Sequence, residues 1–338
     1  MSLRAPCCTP AQERERATLS WQQVSRSLAA MSTALLTHPD CARHETPPGH
    51  PEQVARLAAV LDALADADLV RRAAPLAADD DILRVHPPGY LNTVKEAEPE
   101  EGWAAFDGDT FLSPGSVAAA YRAVGAAVTA VDMVMAGEVA NAFCAVRPPG
   151  HHAEHGTAMG FCLFGTVAIA AKHALDHHGL SRVAIVDFDV HHGNGTQDLV
   201  EADGRILFCS THQMPLYPGT GARHETGAHN TVVNIPLGNG SDGRDFRALV
   251  TTGILPRIDA FQPELILISA GFDAHRDDPL AGVELVEADF EWITERLCDL
   301  ADTHAGGKVV SCLEGGYDLA ALGRSARAHV DVLRERGA

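Results

Sequence analysis

The stretch VDFDVHHGNGTQ, residues 186–197, decides how the rest of the chain is read. It continues the apolar run RVAIV, the pattern of a strand buried on both faces. The apolar run ends at Val186, and two aspartates, two histidines and two glycines follow within a few residues. Side chains at i and i+2 of an extended segment point the same way, so Asp189 and His191 can reach one ion. His192 points the opposite way and reads as structural.

Working outward, apolar strands alternate with amphipathic helices. STALLT is a first strand, and Val54, Leu57, Leu61 and Leu64 give helical spacing over 52–73. SPGSVAAAYRAVGAAVTAVDMVMAG predicts a helix with Ser113 as N-cap, Pro114 at its first position and Gly137 at its end. The order continues with strand NAFCAV, helix 164–178, strand RVAIV, a short helix after Asn194, and strands ILFCS and TVVNI. Helix 245–260, strand LILISA, helix 287–304, strand KVVSCL and a helix from about 318 complete it. This alternation predicts a single α/β domain over residues 31–338, with a mainly parallel sheet covered on both faces. Residues 1–30 read as an extension, either poorly ordered or a misassigned start.

In such sheets ligands bind beyond the carboxyl ends of the strands. RPPGHH follows NAFCAV, DFDVHHGNG follows RVAIV, GFD follows LILISA, and EGGY follows KVVSCL. Reactive residues therefore follow four strands at one edge. Asp273, in SAGFDAHRDDPLAG, is the best-placed third partner for Asp189 and His191. Two carboxylates and one imidazole leave room for water and make an open site that zinc or ferrous iron would accept.

Composition narrows the function classes. The chain has 338 residues and 46% hydrophobic content, enough for a sizeable core. The formal net charge of −19 disfavours nucleic acid as a direct ligand and weakly favours cationic partners. No apolar run approaches the length of a membrane span, and the first thirty residues lack the apolar core of a secretory signal. The 8 cysteines include no CxxC pair and read as buried, reduced thiols of a cytoplasmic protein. Of the 18 histidines, His38, His44 and His50 read as structural or first-loop residues.

Taken together, RPPGHHAEHGTAMGFC, DFDVHHGNGTQ, YPGTG, SAGFDAHRDDPLAG and LEGGYDL resemble the signature blocks of the histone deacetylase superfamily. They stand in family order across roughly residues 33–330. That superfamily includes bacterial deacetylase-like amidohydrolases and acetylpolyamine amidohydrolases, and Asn194 and EGGY resemble its class II branch. The resemblance implies an arginase-like three-layer α/β fold with a roughly eight-stranded sheet. It also implies one catalytic zinc held by Asp189, His191 and Asp273, and a structural potassium at Asp187, Asp189, His191, Ser210 and Thr211. By the same resemblance His151 and His152 divide the base and acid roles, backed by Asp187 and Asn194 respectively, and Tyr317 stabilises the oxyanion. Phe161 and Tyr217 would wall an acyl-lysine channel beside Gly160. An acid at the mouth falls to Asp107 or Asp109, with Asp109 taken as the candidate. Leu280 stands where one polyamine-selective branch carries an acid.

The expected function is zinc-dependent removal of acetyl or other acyl groups from lysine-like amines, in a peptide or an acetylated small amine. The alternative is an acetylpolyamine amidohydrolase. An arginase-like ureohydrolase and a non-enzymatic acyl-lysine binding module fit the residues less well. Neither nucleic acid nor membrane is an expected partner, and the oligomeric state stays open.

Overall fold

The apolar run before the opening motif forms a strand, Val183–Asp187, buried along its whole length. The protein is described by a computed structural model over residues 32–337, so the expected extension at 1–30 lies outside the described residues. In chain order the strands are β1 (Thr33–Thr37), β2 (Val70–Ala73), β3 (Ala104–Ala105), β4 (Phe111–Leu112), β5 (Asn141–Cys144) and β6 (Val183–Asp187). β7 (Ile206–Gln213), β8 (Val232–Leu237), β9 (Leu265–Ala270) and β10 (Val309–Leu313) follow. The α-helices are α1 (Val54–Ala63), α2 (Asp79–Ile82), α3 (Pro88–Glu96), α4 (Ser116–Met135), α5 (Thr166–Asp176) and α6 (Asn194–Val200). α7 (Gly243–Gly253), α8 (Leu255–Phe261), α9 (Glu287–His304) and α10 (Leu319–Arg336) complete them.

Eight strands form one sheet in the order β2-β1-β5-β10-β9-β6-β7-β8, with every neighbouring pair parallel. β3 and β4 form a separate antiparallel ribbon. α4 packs on β1, β5 and β10, and α5 on β6 and β9, while α1, α9 and α10 pack together on the other face. Because both faces are covered, β5, β6, β9 and β10 are buried throughout, which explains their predominantly apolar sequences. The expected three-layer α/β fold is therefore present. These four strands are also adjacent in the sheet, so the four reactive segments emerge side by side.

Several boundaries differ from expectation. The helix expected over 52–73 stops at Ala63, and Val70–Ala73 is an edge strand paired with β1. The edge of β1 needs a hydrogen-bonding partner, and the exposed Arg71 and Arg72 suit a charged sheet edge. Ser113 is not the N-cap of α4. Gly115 is, while the Ser113 hydroxyl accepts from the Glu45 N–H at 2.8 Å and donates to the Arg43 carbonyl at 3.2 Å. The helix expected at 245–260 is broken into α7 and α8, because Pro256 lacks the N–H that continuation requires. Among the described residues, α4 is long and apolar enough to cross a membrane, contrary to the reading from uninterrupted runs. Arg122 and Asp132 interrupt its sequence without lowering its average enough, and 72% of the apolar window is buried inside the protein.

Candidate metal centre and catalytic pocket

Asp189 and His191 lie just beyond β6, and Asp273 just beyond β9. His191 Nδ1 is 3.1 Å from Asp189 Oδ1 and 3.1 Å from Asp273 Oδ2. Backbone groups fix both carboxylates. Asp189 accepts from the N–H of His191 at 2.9 Å and of Gly315 at 2.8 Å, and Asp273 accepts from Val190 at 2.8 Å. The three side chains each offer one donor atom, all within 4.8 Å of one another. Only glycine allows this approach: a Cβ on Gly315 would lie 2.1 Å from Asp273 Oδ2, and one on Gly271 2.1 Å from Asp189 Oδ2.

The donor chemistry fits a divalent cation. Asp189 and Asp273 are buried, and among the described residues their ion-pair partners are imidazoles rather than lysine or arginine. Burial works against a charge on His191, yet the two carboxylates raise its pKa to about 10. The same field that holds a proton there would hold a metal ion.

The tandem histidines sit over this centre in different surroundings. His151 Nδ1 is 2.9 Å from Asp187 Oδ2, and His152 Nδ1 is 2.7 Å from Asn194 Oδ1. Burial opposes the charge on His151, but Asp189 and Asp187 outweigh it and raise its pKa well above the ordinary value. Burial lowers that of His152 well below it, helped by His151 and His191. The Asn194 amide donates to Glu154 Oε1 at 2.8 Å, which turns its oxygen toward His152. His152 Nδ1 then carries the hydrogen, leaving Nε2 free to accept a proton. His192 faces away and is held by Thr220 at 2.8 Å and Gln197 at 3.0 Å.

Tyr317 lies beyond the same Gly315–Gly316 turn that contacts Asp189. Asp278 Oδ2 accepts from its backbone N–H at 2.7 Å. Burial, reinforced by Asp273, keeps the phenol protonated and so able to donate. A cavity of about 340 Å³ runs from His152, His191 and Tyr317 to the surface, past Gly160, Phe161, Tyr217, Leu280 and Asp109. Gly160 must lack a side chain, since a Cβ would lie 2.4 Å from the His152 ring. Of the two candidate acids, Asp109 lines the cavity, while Asp107 accepts from the N–H groups of Asp109 and Thr110 and shapes the turn.

Ser210 and Thr211 are buried on β7, and Ser210 is paired in register with Asp187. The Ser210 hydroxyl lies 2.9 Å from His212 Nδ1.

Other residues of the site had no distinct signal in the sequence. His50 lines the pocket, its ring 4.8 Å from that of Phe161 and its Nε2 2.9 Å from the Asp109 carbonyl. Glu154 and Asp278 stand inside two of the quoted motifs, but nothing in the sequence marks a role for either. Glu52 and Arg147 form a two-point ion pair, with Arg56 2.9 Å from Glu52, all fully buried. Arg56 also donates to the Glu314 and Gly316 carbonyls, bracing the turn before Tyr317. The glutamate at i and arginine at i+4 were a usable signal for one of these pairs.

Comparison with known proteins agrees with this architecture. The family model for the histone deacetylase domain matches residues 50–333. A histone deacetylase-like amidohydrolase of Pseudomonas aeruginosa is 40% identical over 272 residues, covering 79% of this chain and 71% of the relative. A probable deacetylase of Archaeoglobus fulgidus is 38% identical over 298 residues, covering 86% and 82% respectively. The crystal structure of the HDA15 HD domain superposes with a TM-score of 0.85 at 35% identity, covering 90% of each chain.

Proposed function

The chain belongs to the histone deacetylase family, and on that footing we propose that it is a metal-dependent amidohydrolase removing acetyl groups from lysine-like amines. The observation that carries the reading is the convergence of Asp189, His191 and Asp273 with His152 and Tyr317 at the inner end of one narrow cavity. Asp189, His191 and Asp273 would hold the ion, zinc or ferrous iron by donor type. When bound, a divalent cation polarises an amide carbonyl and makes water a stronger acid.

The chain's own residues supply the rest. Phe161 and Tyr217 orient an extended apolar stem, and Gly160 leaves room for it. His152 Nε2 takes the proton from water, because this imidazole is kept neutral. His151, charged beside Asp187, supports the developing negative charge and supplies a proton for the leaving amine. The Tyr317 hydroxyl donates to the carbonyl oxygen as it becomes anionic. A structural potassium at Asp187, Asp189, His191, Ser210 and Thr211 belongs to the same proposal. So does a cytoplasmic location, since the six described cysteines are free and buried.

The acetylpolyamine reading is the second choice. Asp109 at the mouth suits a distal amine, but Leu280 beside it is apolar. A turnover panel of acetyl-lysine peptides, longer acyl-lysines, acetylputrescine and acetylspermidine separates the two. The expected order is acetyl-lysine first, and faster hydrolysis of the polyamines would reverse the assignment. In the same assay Asp189→Ala and Asp273→Ala should abolish turnover and lower metal content. Full activity in either, or in chelator-stripped protein, would sink the proposal.

A further inference from the structure

The segment KHALDHHGL, residues 172–180, places histidines at i, i+4 and i+5, and the function above uses none of them. His173 lies in α5, His177 is its C-cap and His178 follows. The i, i+4 spacing puts His173 and His177 on one helix face. Asp132, near the end of α4, faces them. His173 Nε2 is 2.6 Å and His178 Nε2 2.7 Å from the same oxygen, Asp132 Oδ1. The His173 and His177 rings stack 4.9 Å apart, and the His177 and His178 rings meet edge-on at 4.9 Å.

We propose that Asp132, His173, His177 and His178 form a second metal site, one that takes a divalent transition ion of the zinc class and clips α4 to α5. One donor atom from each of the four lies within 4.8 Å of all the others. A tetrahedral ion with bonds of about 2.0 Å needs ligand atoms roughly 3.3 Å apart. The two short contacts to Asp132 would therefore open slightly while His177 closes in. Three imidazoles and one carboxylate make a complete tetrahedral set of the structural kind. The protein adds a favourable field, because α4 and α5 both end here and present the negative ends of their dipoles. His173 is buried and its Nδ1 has no hydrogen-bond partner. Nε2 now donates to Asp132, and it would release that hydrogen to bind a metal, with the unpartnered Nδ1 free to take it up. His177 is exposed and His178 partly so, which leaves an entry path from solvent.

The site is separate from the pocket. α5 leads into β6, so its C-terminal end lies at the sheet edge opposite the one that carries Asp189. Metal content and melting temperature read it without recourse to activity. Chelator-stripped protein is titrated with Zn²⁺, and bound metal is counted by mass spectrometry after gel filtration. The parent should hold about two equivalents, one per four-coordinate or open site. His177→Ala/His178→Ala should hold one, lose part of the zinc-dependent rise in melting temperature, and keep turnover. Asp132→Asn, which removes the charged ligand without disturbing the helix face, should lose the same equivalent. Equal zinc counts in the parent and both variants, whether one or two equivalents, would overturn the proposal.

Discussion

At Asn194 a neutral amide stands behind one histidine of the pair while a carboxylate stands behind the other. That difference separates the two imidazoles, since a carboxylate stabilises imidazolium far more than an amide does. Asn194→Asp should therefore raise the apparent pKa of the acidic limb of kcat/KM, moving that limb to higher pH. Glu154 accepts from the Asn194 amide at 2.8 Å, so the substitution brings two carboxylates together. Asn194→Asp/Glu154→Gln removes that repulsion and should keep the same direction. An acidic limb that stays put or moves down in both folded variants would show that Asn194 does not tune the base. Only the macroscopic limb is compared, because neighbouring histidines titrate together. Tyr317 makes a different prediction. Its hydroxyl is needed most in the transition state, so Tyr317→Phe should lower kcat by about a hundredfold to a thousandfold with KM little changed. A raised KM at unchanged kcat would make it a binding residue instead.

At the scale of elements, the site depends on one turn packing onto another. The segment after β10 brings Gly315 against the carboxylates carried beyond β6 and β9, and this explains two adjacent glycines before Tyr317. Gly316 has φ +123, a conformation side chains rarely adopt, whereas at Gly315 the constraint is space. Gly315→Ala would push a methyl into Asp273 and Asp189, at 2.1 and 2.5 Å. The variant should fold but lose metal and most turnover. Metal titration with circular dichroism checks this, and normal metal affinity would mean that the turn can shift.

Across the whole molecule, the Glu52–Arg147–Arg56 cluster ties the loop before α1 to the segments after β5 and β10. All three side chains are fully buried, so removing the carboxylate strands two guanidinium groups away from water. Glu52→Gln should cost about 3–5 kcal/mol of stability, read by chemical denaturation. Burial alone would raise the Glu52 pKa, but Arg147 and His44 hold it well below the ordinary glutamate value. The folded-state pKa is thus depressed. Its contribution is complete above the unfolded value of about 4.3 and fades as pH falls toward the folded one. The parent should therefore lose more stability than Glu52→Gln between neutral pH and pH 3. Parallel losses would assign acid sensitivity to other groups.

Local patterns were enough to reveal the strands and the order of the reactive segments. Four mainly apolar runs, each followed by chemistry-bearing residues, already implied a parallel sheet with one active edge, because burial on both faces is written into consecutive residues. The pairing of Asp189 with His191 was legible for the same reason: an extended backbone dictates which neighbours share a side. Helix ends were less legible, as at Ala63 and Pro256, where a sheet edge or a missing N–H overruled periodicity. Tertiary structure alone decided that Glu154 would orient Asn194, that His50 would line the pocket, and that Asp132 would meet His173 and His178 at the end of the next helix. Those contacts join residues about 40 to 111 positions apart, and a single acid or histidine in a polar stretch carries no mark of its distant partner. Only close packing, in which a buried charge must find a counter-charge or a hydrogen bond, selects which of many similar side chains meet.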